Sequence, residues 1–351
     1  MASFSINNIA VKGMAAAVPA NKAYNKDYPY LSAEDIAKFM EATGVEERRI
    51  APKEMCTSDL CQAAAEQLIH DLQWEKKNIE ILVFVSQTPD YILPVTSALL
   101  QNKLELSKDC VAFDIPLGCS GYVYGLSVIS GMMKAAGFKK GLLLVGDTSS
   151  KLVSEKDKST MPLFGDAGSA TCLEYDEAAP PLFFNVGTDG SGSNAIIVPD
   201  GGARNQITTD SFTYQVIDEG IERNRCQLVL DGMDVFSFGI SQAPKTVNAL
   251  LEKYSIDKEK TDYFVFHQAN LMMNKMIAKK LKLPEHKVPY SLNQFGNTSS
   301  ATIPLTIVSQ LKTAITEGDK SLVLCGFGVG LSWGTAYIQT KNLVVSQLIE
   351  I

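Results

Sequence analysis

Residues 76–90 read KKNIEILVFVSQTPD, and residues 258–270 read KEKTDYFVFHQAN. Each stretch runs from a charged helix end into a buried strand and then a polar loop. A second matched pair follows: KKGLLLVGDTSS at 139–150 and GDKSLVLCGFGVG at 318–330. Between the members lie DIPLGCSGYVYGLSVIS (114–130) and SLNQFGNTSSATIPLTIVSQL (291–311), each a turn rich in small residues that opens a helix. Three features in the same order indicate a duplicated α/β unit, the alternative being chance likeness between two ordinary α/β segments. The halves, 1–178 and 179–351, meet at EYDEAAPP (174–181), where charge and proline mark a boundary. Strand-like apolar runs alternate with helical stretches throughout, which predicts α/β layers on a largely parallel sheet.

The bulk composition is that of a globular chain. It has 351 residues, 46% of them hydrophobic and 20% charged, enough for two core-sized units. A net charge of −7 argues against nucleic-acid binding. No apolar run approaches the roughly 18 residues of a spanning helix, and MASFSINNIAVKGM lacks the pattern of a secretory signal. The seven cysteines are an odd, scattered set without a CxxC, and there are only three histidines. Neither a disulfide framework nor a metal site is expected, and the expected compartment is the reducing cytoplasm.

Cys119 stands where a strand-like CVAFDI turns into an apolar helix predicted from Ser120 to about Ala136, ending at Gly137. Val123, Leu126, Val128, Ile129, Met132 and Met133 make this helix apolar nearly all round, so it should be buried. Gly121 and Gly125 suggest close packing against another backbone. A cysteine at a helix N-terminus faces unpaired N–H groups and the positive dipole end, which predicts a lowered thiol pKa. The plainer reading, a buried inert cysteine, suits Cys172, Cys226 and Cys325 better.

His267 follows the strand YFVF, and ligand chemistry in open α/β sheets gathers at such carboxyl ends. His70 and His286 read as surface residues. Asn297 follows Gly296, which permits positive φ, and Asn297-Thr298-Ser299 opens a helix; read alone, it is a helix cap. CGFGVGLSWG (325–334) reads as a loop whose backbone N–H groups could receive an oxyanion. It lacks the GxGxxG spacing of a dinucleotide loop.

Taken in order, GCSGYVYGLSV, LFGDAGSA, FHQAN, FGNTSSATIP and GFGVGLSWGTA resemble the β-ketoacyl-acyl-carrier-protein synthase III family of the thiolase superfamily. TGVEERRIA near the start fits as well, and the likeness covers nearly the whole chain. It implies a thiolase-like α/β fold with duplicated halves in a five-layered α-β-α-β-α arrangement, a homodimer, and a Cys119, His267, Asn297 triad. The implied substrates are an acyl-CoA and malonyl-acyl carrier protein, with no further cofactor. Val329 then supplies an oxyanion-binding N–H, Phe327 an aromatic wall, and Leu93 a limit on acyl length from a loop that reaches across the dimer.

Several matched positions depart from the family. Lys38 stands where relatives place a tryptophan against adenine, and Lys158 where they have an arginine. Met233 replaces an asparagine on the pantetheine arm, and Met272 replaces a basic residue. Lysine keeps a phosphate-binding charge and loses planar stacking. Lys275, Lys279, Lys280 and Lys282 form a basic helical patch, either a carrier-protein contact or a solvated face. The altered donor residues keep open a synthase of a specialised pathway (polyketide, quinolone or surface-polysaccharide acyl chemistry). From another class, a Cys-His-Asn thioester hydrolase fits the residue types but not the motif order.

Overall fold

The computed structural model describes residues 1–351. In chain order its main elements begin with β1 (Ala2–Ile6), β2 (Ile9–Val18), α1 (Ala33–Thr43), α2 (Thr57–Asp71), β3 (Ile81–Val85) and α3 (Thr96–Lys103). Next come β4 (Val111–Ile115), α4 (Gly121–Ala136), β5 (Lys140–Thr148), β6 (Asp166–Tyr175) and β7 (Leu182–Thr188). Then follow α5 (Gly232–Lys253), β8 (Tyr263–Phe266), α6 (Leu271–Lys280) and α7 (Thr302–Gln310). The chain closes with β9 (Ser321–Gly328), β10 (Ser332–Gln339), β11 (Val344–Val345) and β12 (Ile349–Glu350). None of the helices is long and apolar enough to cross a membrane.

One sheet runs β11-β2-β6-β5-β3-β4, with β12 also on β2, and the other runs β1-β7-β10-β9-β8. The duplication is visible in the pairing. β2-β6 and β6-β5 are antiparallel and β5-β3 parallel; β7-β10 and β10-β9 are antiparallel and β9-β8 parallel. The sheets are therefore mixed rather than largely parallel. Of the four pairs linking β5 and β9 to their neighbours, only the two parallel ones, β5-β3 and β9-β8, need helical crossovers. The termini are exchanged: β1 extends the second sheet along β7, while β11 and β12 lie beside β2 in the first.

Helices α4 and α7 lie between the sheets, each touching both. Helices α2 and α3 cover the outer face of the first sheet and α5 that of the second, with α6 packed on α5. This is a five-layered α-β-α-β-α stack. Its largest apolar cluster, 35 buried residues, fills the middle, against 19 and 14 in the outer layers. β3 shows why its sequence is apolar throughout: Ile81, Val83 and Val85 join the central cluster while Leu82 and Phe84 join the outer one.

The glycines of α4 have a different cause from the one the sequence suggests. A Cβ on Gly121 would sit 2.7 Å from a Val85 methyl, and one on Gly125 2.7 Å from the other and 2.9 Å from a Leu143 methyl. These contacts are strand side chains, not backbone. The close backbone approach occurs on the opposite side of the turn that carries Cys119. A Cβ on Gly326 of β9 would lie 2.6 Å from the Cys119 carbonyl oxygen and 2.9 Å from Ser120 Cα. Gly326→Ala should therefore push β9 off that turn, lowering stability by about 1–3 kcal/mol. Urea unfolding should show a lower midpoint, and Cys119 labelling should slow; an unchanged midpoint would show that the halves do not meet there as tightly as described.

Candidate active site

The turn Leu117–Ser120 connects β4 to α4 and is closed by Gly121 N donating to the Gly118 carbonyl at 2.6 Å. Ser120 takes the cap position, and its hydroxyl bonds Ser332 Oγ at 2.7 Å instead of capping the helix. Cys119 is half-buried just before the helix start. Gly328, at φ +157, has to lack a side chain because a Cβ there would fall 2.7 Å from the Cys119 sulfur. Cys325–Gly328 thus belong to strand β9 rather than to a loop, and only the short turn before Ser332 exposes backbone.

The expected thiol acidity is not what the fold produces. Burial pushes the Cys119 pKa up to about 11. Hydrogen bonding from the Val329 and Cys119 N–H groups and from Ser299 acts against this, while the nearby Asp147 charge adds to the rise. Loss of water outweighs the helix end, because a buried thiolate has few groups to replace its hydration.

His267 directly follows β8, its N–H donating to the Cys325 carbonyl at 2.8 Å. The ring meets Phe327 edge-on, with centroids 5.7 Å apart, and Nδ1 lies 2.8 Å from Thr302 Oγ1. Burial lowers its pKa to about 3, the Ser299 backbone opposing weakly, so the imidazole is neutral at physiological pH.

Asn297 is laced to the first half of the chain. Its N–H donates to the Leu163 carbonyl at 2.9 Å, and its carbonyl accepts from Gly165 N at 3.1 Å. Gly296 makes this possible at φ +63, with the space for a Cβ occupied by the Leu163 oxygen at 2.7 Å. The Asn297 Oδ1 accepts from Ser299 N at 2.9 Å, which leaves the Nδ2 protons for the cavity. The helix that follows begins only at Thr302, after a tight turn over Ser299–Ala301.

Cys119, His267 and Asn297 line one cavity of about 800 Å³ together with Phe327 and Val329. Leu152, Leu163, Ile196, Leu228, Leu230 and Val235 form its apolar wall. Asp147, at the carboxyl end of β5, also lines it and had no place in the sequence reading. Its Oδ1 accepts from Gln87 N (2.7 Å) and Ser86 Oγ (3.1 Å), and its Oδ2 from Ser300 N (3.1 Å) and Oγ (2.6 Å). Burial raises its pKa. An acidic residue ending a fully apolar strand in LLLVGDTSS was the available signal.

The remaining candidates lie elsewhere. Leu93 is 82% exposed and lines no part of the cavity of its own chain. Lys158 packs its stem over Gly220, outside the cavity. Lys275 adjoins Lys38 and Met272 in a surface groove between α1 and α6, and Lys279 is exposed. Lys280 is tied down: its Nζ donates to the Ile240 carbonyl at 2.9 Å. Pro244, four residues on in α5, has no N–H to offer that carbonyl, so the lysine replaces the missing helical bond.

Paired α/β halves stacked about a cavity with a cysteine at a central helix start define the thiolase-fold class. Residues 113–190 match the family model of 3-oxoacyl-[acyl-carrier-protein] synthase III, and residues 251–340 its C-terminal model. The beta-ketoacyl-[acyl-carrier-protein] synthase III of Fusobacterium nucleatum is 30% identical over 335 residues, 95% of this chain and 99% of that one. The crystal structure of a 3-oxoacyl-(acyl-carrier protein) synthase from Burkholderia xenovorans LB400 superposes with a TM-score of 0.93 at 37% identity, covering 100% and 99% of the two chains. That of synthase III from Pseudomonas aeruginosa PAO1 gives 0.83 at 26%, covering 95% and 98%. The chain belongs to the β-ketoacyl-[acyl-carrier-protein] synthase III family, and it is a condensing acyltransferase of fatty acid biosynthesis. Neither the hydrolase nor the specialised-pathway reading is favoured by these matches.

Two measurements test the electrostatics. Alkylation of Cys119 by iodoacetamide should accelerate with pH without levelling off below about 11; a plateau near neutrality would mean a preformed thiolate. Between pH 6.5, the ordinary histidine value, and about 3, the folded state binds fewer protons at His267 than the unfolded chain does. Stability should therefore fall as pH drops through that window. His267→Gln should lose less of its urea midpoint between pH 7 and pH 5 than the unaltered protein; an equal loss would contradict the buried neutral ring.

Proposed function

We propose that Cys119, His267 and Asn297 are the catalytic triad of a decarboxylative Claisen condensation between an acyl-CoA primer and malonyl-acyl carrier protein. The observation that carries this reading is their convergence, from two halves of the chain, on one largely apolar cavity. Cys119 gives up its thiol proton and attacks the primer thioester. The tetrahedral intermediate expels CoA, which takes up a proton, and an acyl-Cys119 thioester remains. Malonyl thioester then loses CO₂, and its enolate carbon attacks the acyl carbonyl. Collapse releases the ketoacyl thioester and the Cys119 thiolate, which is reprotonated.

Each group suits its step. The N–H of Val329 and that of Cys119 itself, already bonded toward the sulfur, would hold the oxyanion on the acyl carbon. The imidazole and the Asn297 amide would stabilise the enolate oxygen, and a neutral imidazole leaves the carbanion unprotonated. Phe327 and the apolar wall keep water from competing for the acyl thioester.

The exposed run Tyr91, Ile92, Leu93 and Val95 would be covered by a second copy, which supports a homodimer in which Leu93 reaches the partner's cavity. Lys158, Lys275 and Lys279 are the basic groups left for a phosphate or an acidic carrier protein, with Lys280 held by α5. Seven unpaired cysteines suit the cytoplasm.

Mass spectrometry after exposure to a panel of acyl-CoAs should find a thioester on Cys119, and malonyl-carrier protein should then release CO₂ and a ketoacyl product. Cys119→Ala should take up no acyl group. His267→Ala and Asn297→Ala should acylate yet condense at least ~100-fold more slowly. Normal condensation by either would remove that residue from the triad.

A further inference from the structure

When Cys119 attacks a thioester its proton has to go somewhere, and the cavity offers few takers. Among the side chains that line it, only His267 and Asp147 can accept a proton with any strength. Burial holds the imidazole down at about 3, which makes it a poor base toward a thiol. The same burial makes the Asp147 carboxylate a stronger base than an exposed one. Each of its oxygens still receives a backbone N–H, from Gln87 at 2.7 Å and Ser300 at 3.1 Å, a setting for the ionised form. Cys61 of α2 is the other ionisable group near Asp147, and it is sealed in the outer layer.

Ser299 stands between the thiol and this carboxylate. It is buried and lines the same cavity. A Cβ on Gly118 would lie 3.1 Å from its Oγ, so the hydroxyl rests against the turn that carries Cys119. On its other side Ser300 donates both N–H and hydroxyl to Asp147 Oδ2. The Ser299 hydroxyl bonds toward the Cys119 sulfur and toward Asp147. A carboxylate only accepts, so the Ser299 O–H points at Asp147 and the thiol S–H at Ser299 Oγ. The backbone here is at φ +52, where glycine or asparagine would be easier, yet the position holds a hydroxyl. We propose that Ser299 relays the thiol proton of Cys119 to Asp147 during acylation and carries it back to the departing thiol. This rests on the proposed role of Cys119 as the nucleophile. As the sulfur bonds to the carbonyl carbon of acyl-CoA, its proton passes to Ser299 Oγ while the Ser299 proton passes to Asp147. Collapse then breaks the bond from that carbon to the CoA sulfur. Asp147 returns its proton to Ser299, and the Ser299 proton goes to the CoA sulfur. Acyl-Cys119, the CoA thiol and the Asp147 carboxylate remain. Both sulfurs are bonded in turn to one carbon, so a single hydroxyl serves both transfers.

The relay is tested on the full chain by the pH dependence of Cys119 acylation, followed by rapid quench and mass spectrometry. Acetyl-CoA, butyryl-CoA, octanoyl-CoA and dodecanoyl-CoA are compared, and the fastest donor is used at saturation. With an internal proton acceptor, the rate in the unaltered protein should be level from about pH 7 to 9. Ser299→Ala keeps the backbone N–H that holds the Asn297 amide and removes only the hydroxyl. Its acylation should be slower on the order of 100-fold at neutral pH, and should climb about tenfold per pH unit as free thiolate forms. Asp147→Asn should show the same slope; should urea unfolding find that variant unfolded, Ser299→Ala decides alone. A serine with a structural role only would lower the rate by one factor at every pH. Such parallel profiles, or a climbing rate in the unaltered protein, would overturn the relay. Failure of the underlying role would look different, since no donor would then label Cys119 in the unaltered protein at any pH.

Discussion

The site hangs on a single buried carboxylate. Asp147 ends β5 in the first half of the chain and takes hydrogen bonds from two directions. The loop after β3 supplies Gln87 N and Ser86 Oγ, and the loop before α7 supplies Ser300 N and Oγ. Those two loops belong to different halves, so the bonds hold the second half's loop against the first half's sheet. The held residues adjoin Ser299, a non-glycine at φ +52 that pays a conformational cost unless its neighbours over-determine it. Asn297 is fastened one step earlier by Leu163 and Gly165, and Thr302 follows three residues later. Removing the carboxylate would leave the buried Ser300 N–H and hydroxyl without this acceptor, which is more damaging than the loss of the bonds themselves.

Such an anchor has an electrostatic consequence. A carboxylate beside the cavity raises the thiol pKa of Cys119, in the same direction as burial. The resting site therefore holds a neutral thiol and a neutral imidazole rather than an ion pair. For the condensation this is coherent: an imidazolium near a malonyl thioester could hand its proton to the carbanion and quench it. In the proposed mechanism, two neutral donors would stabilise the oxygen and offer the carbon nothing. Under the proposed mechanism the free thiol is held back by burial, and the N–H groups of Val329 and Cys119 that bond toward the sulfur would polarise the thioester carbonyl.

Much of this was legible in the sequence, because it depends on residue type and order. The apolar runs of β3 and β8, and of β5 and β9, displayed the duplication, and Gly137 marked the end of α4. Cys119, His267 and Asn297 stood at a helix start, a strand end and a post-glycine turn, positions that local rules single out. What could not be read was anything set by long-range desolvation or by contact between halves. The Cys119 pKa went the wrong way because a helix N-terminus is visible in sequence and the burial over it is not. Asp147, Ser300 and Thr302 were not singled out, because their partners lie 35 to 153 positions away. The exchange of β1 with β11 and β12 between sheets has no local signature either.

The rim obeys different physics from the centre. Counting lysines along α6 suggests a dense cationic face, but packing removes one of them. Lys280 fills the vacancy that Pro244 leaves in the bonding of α5, so its charge serves the helix pair. Lys38 is paired with Glu34 at 2.7 Å on an exposed helix face, an interaction that contributes little and is readily exchanged. Met233 and Met272 expose unbranched apolar side chains to solvent. The centre tolerates little change, since the donors around Asp147 answer a buried acceptor. The rim is solvated, so a substitution costs the fold almost nothing and alters only what docks. That asymmetry lets surface positions change while the buried, hydrogen-bonded centre stays as it is.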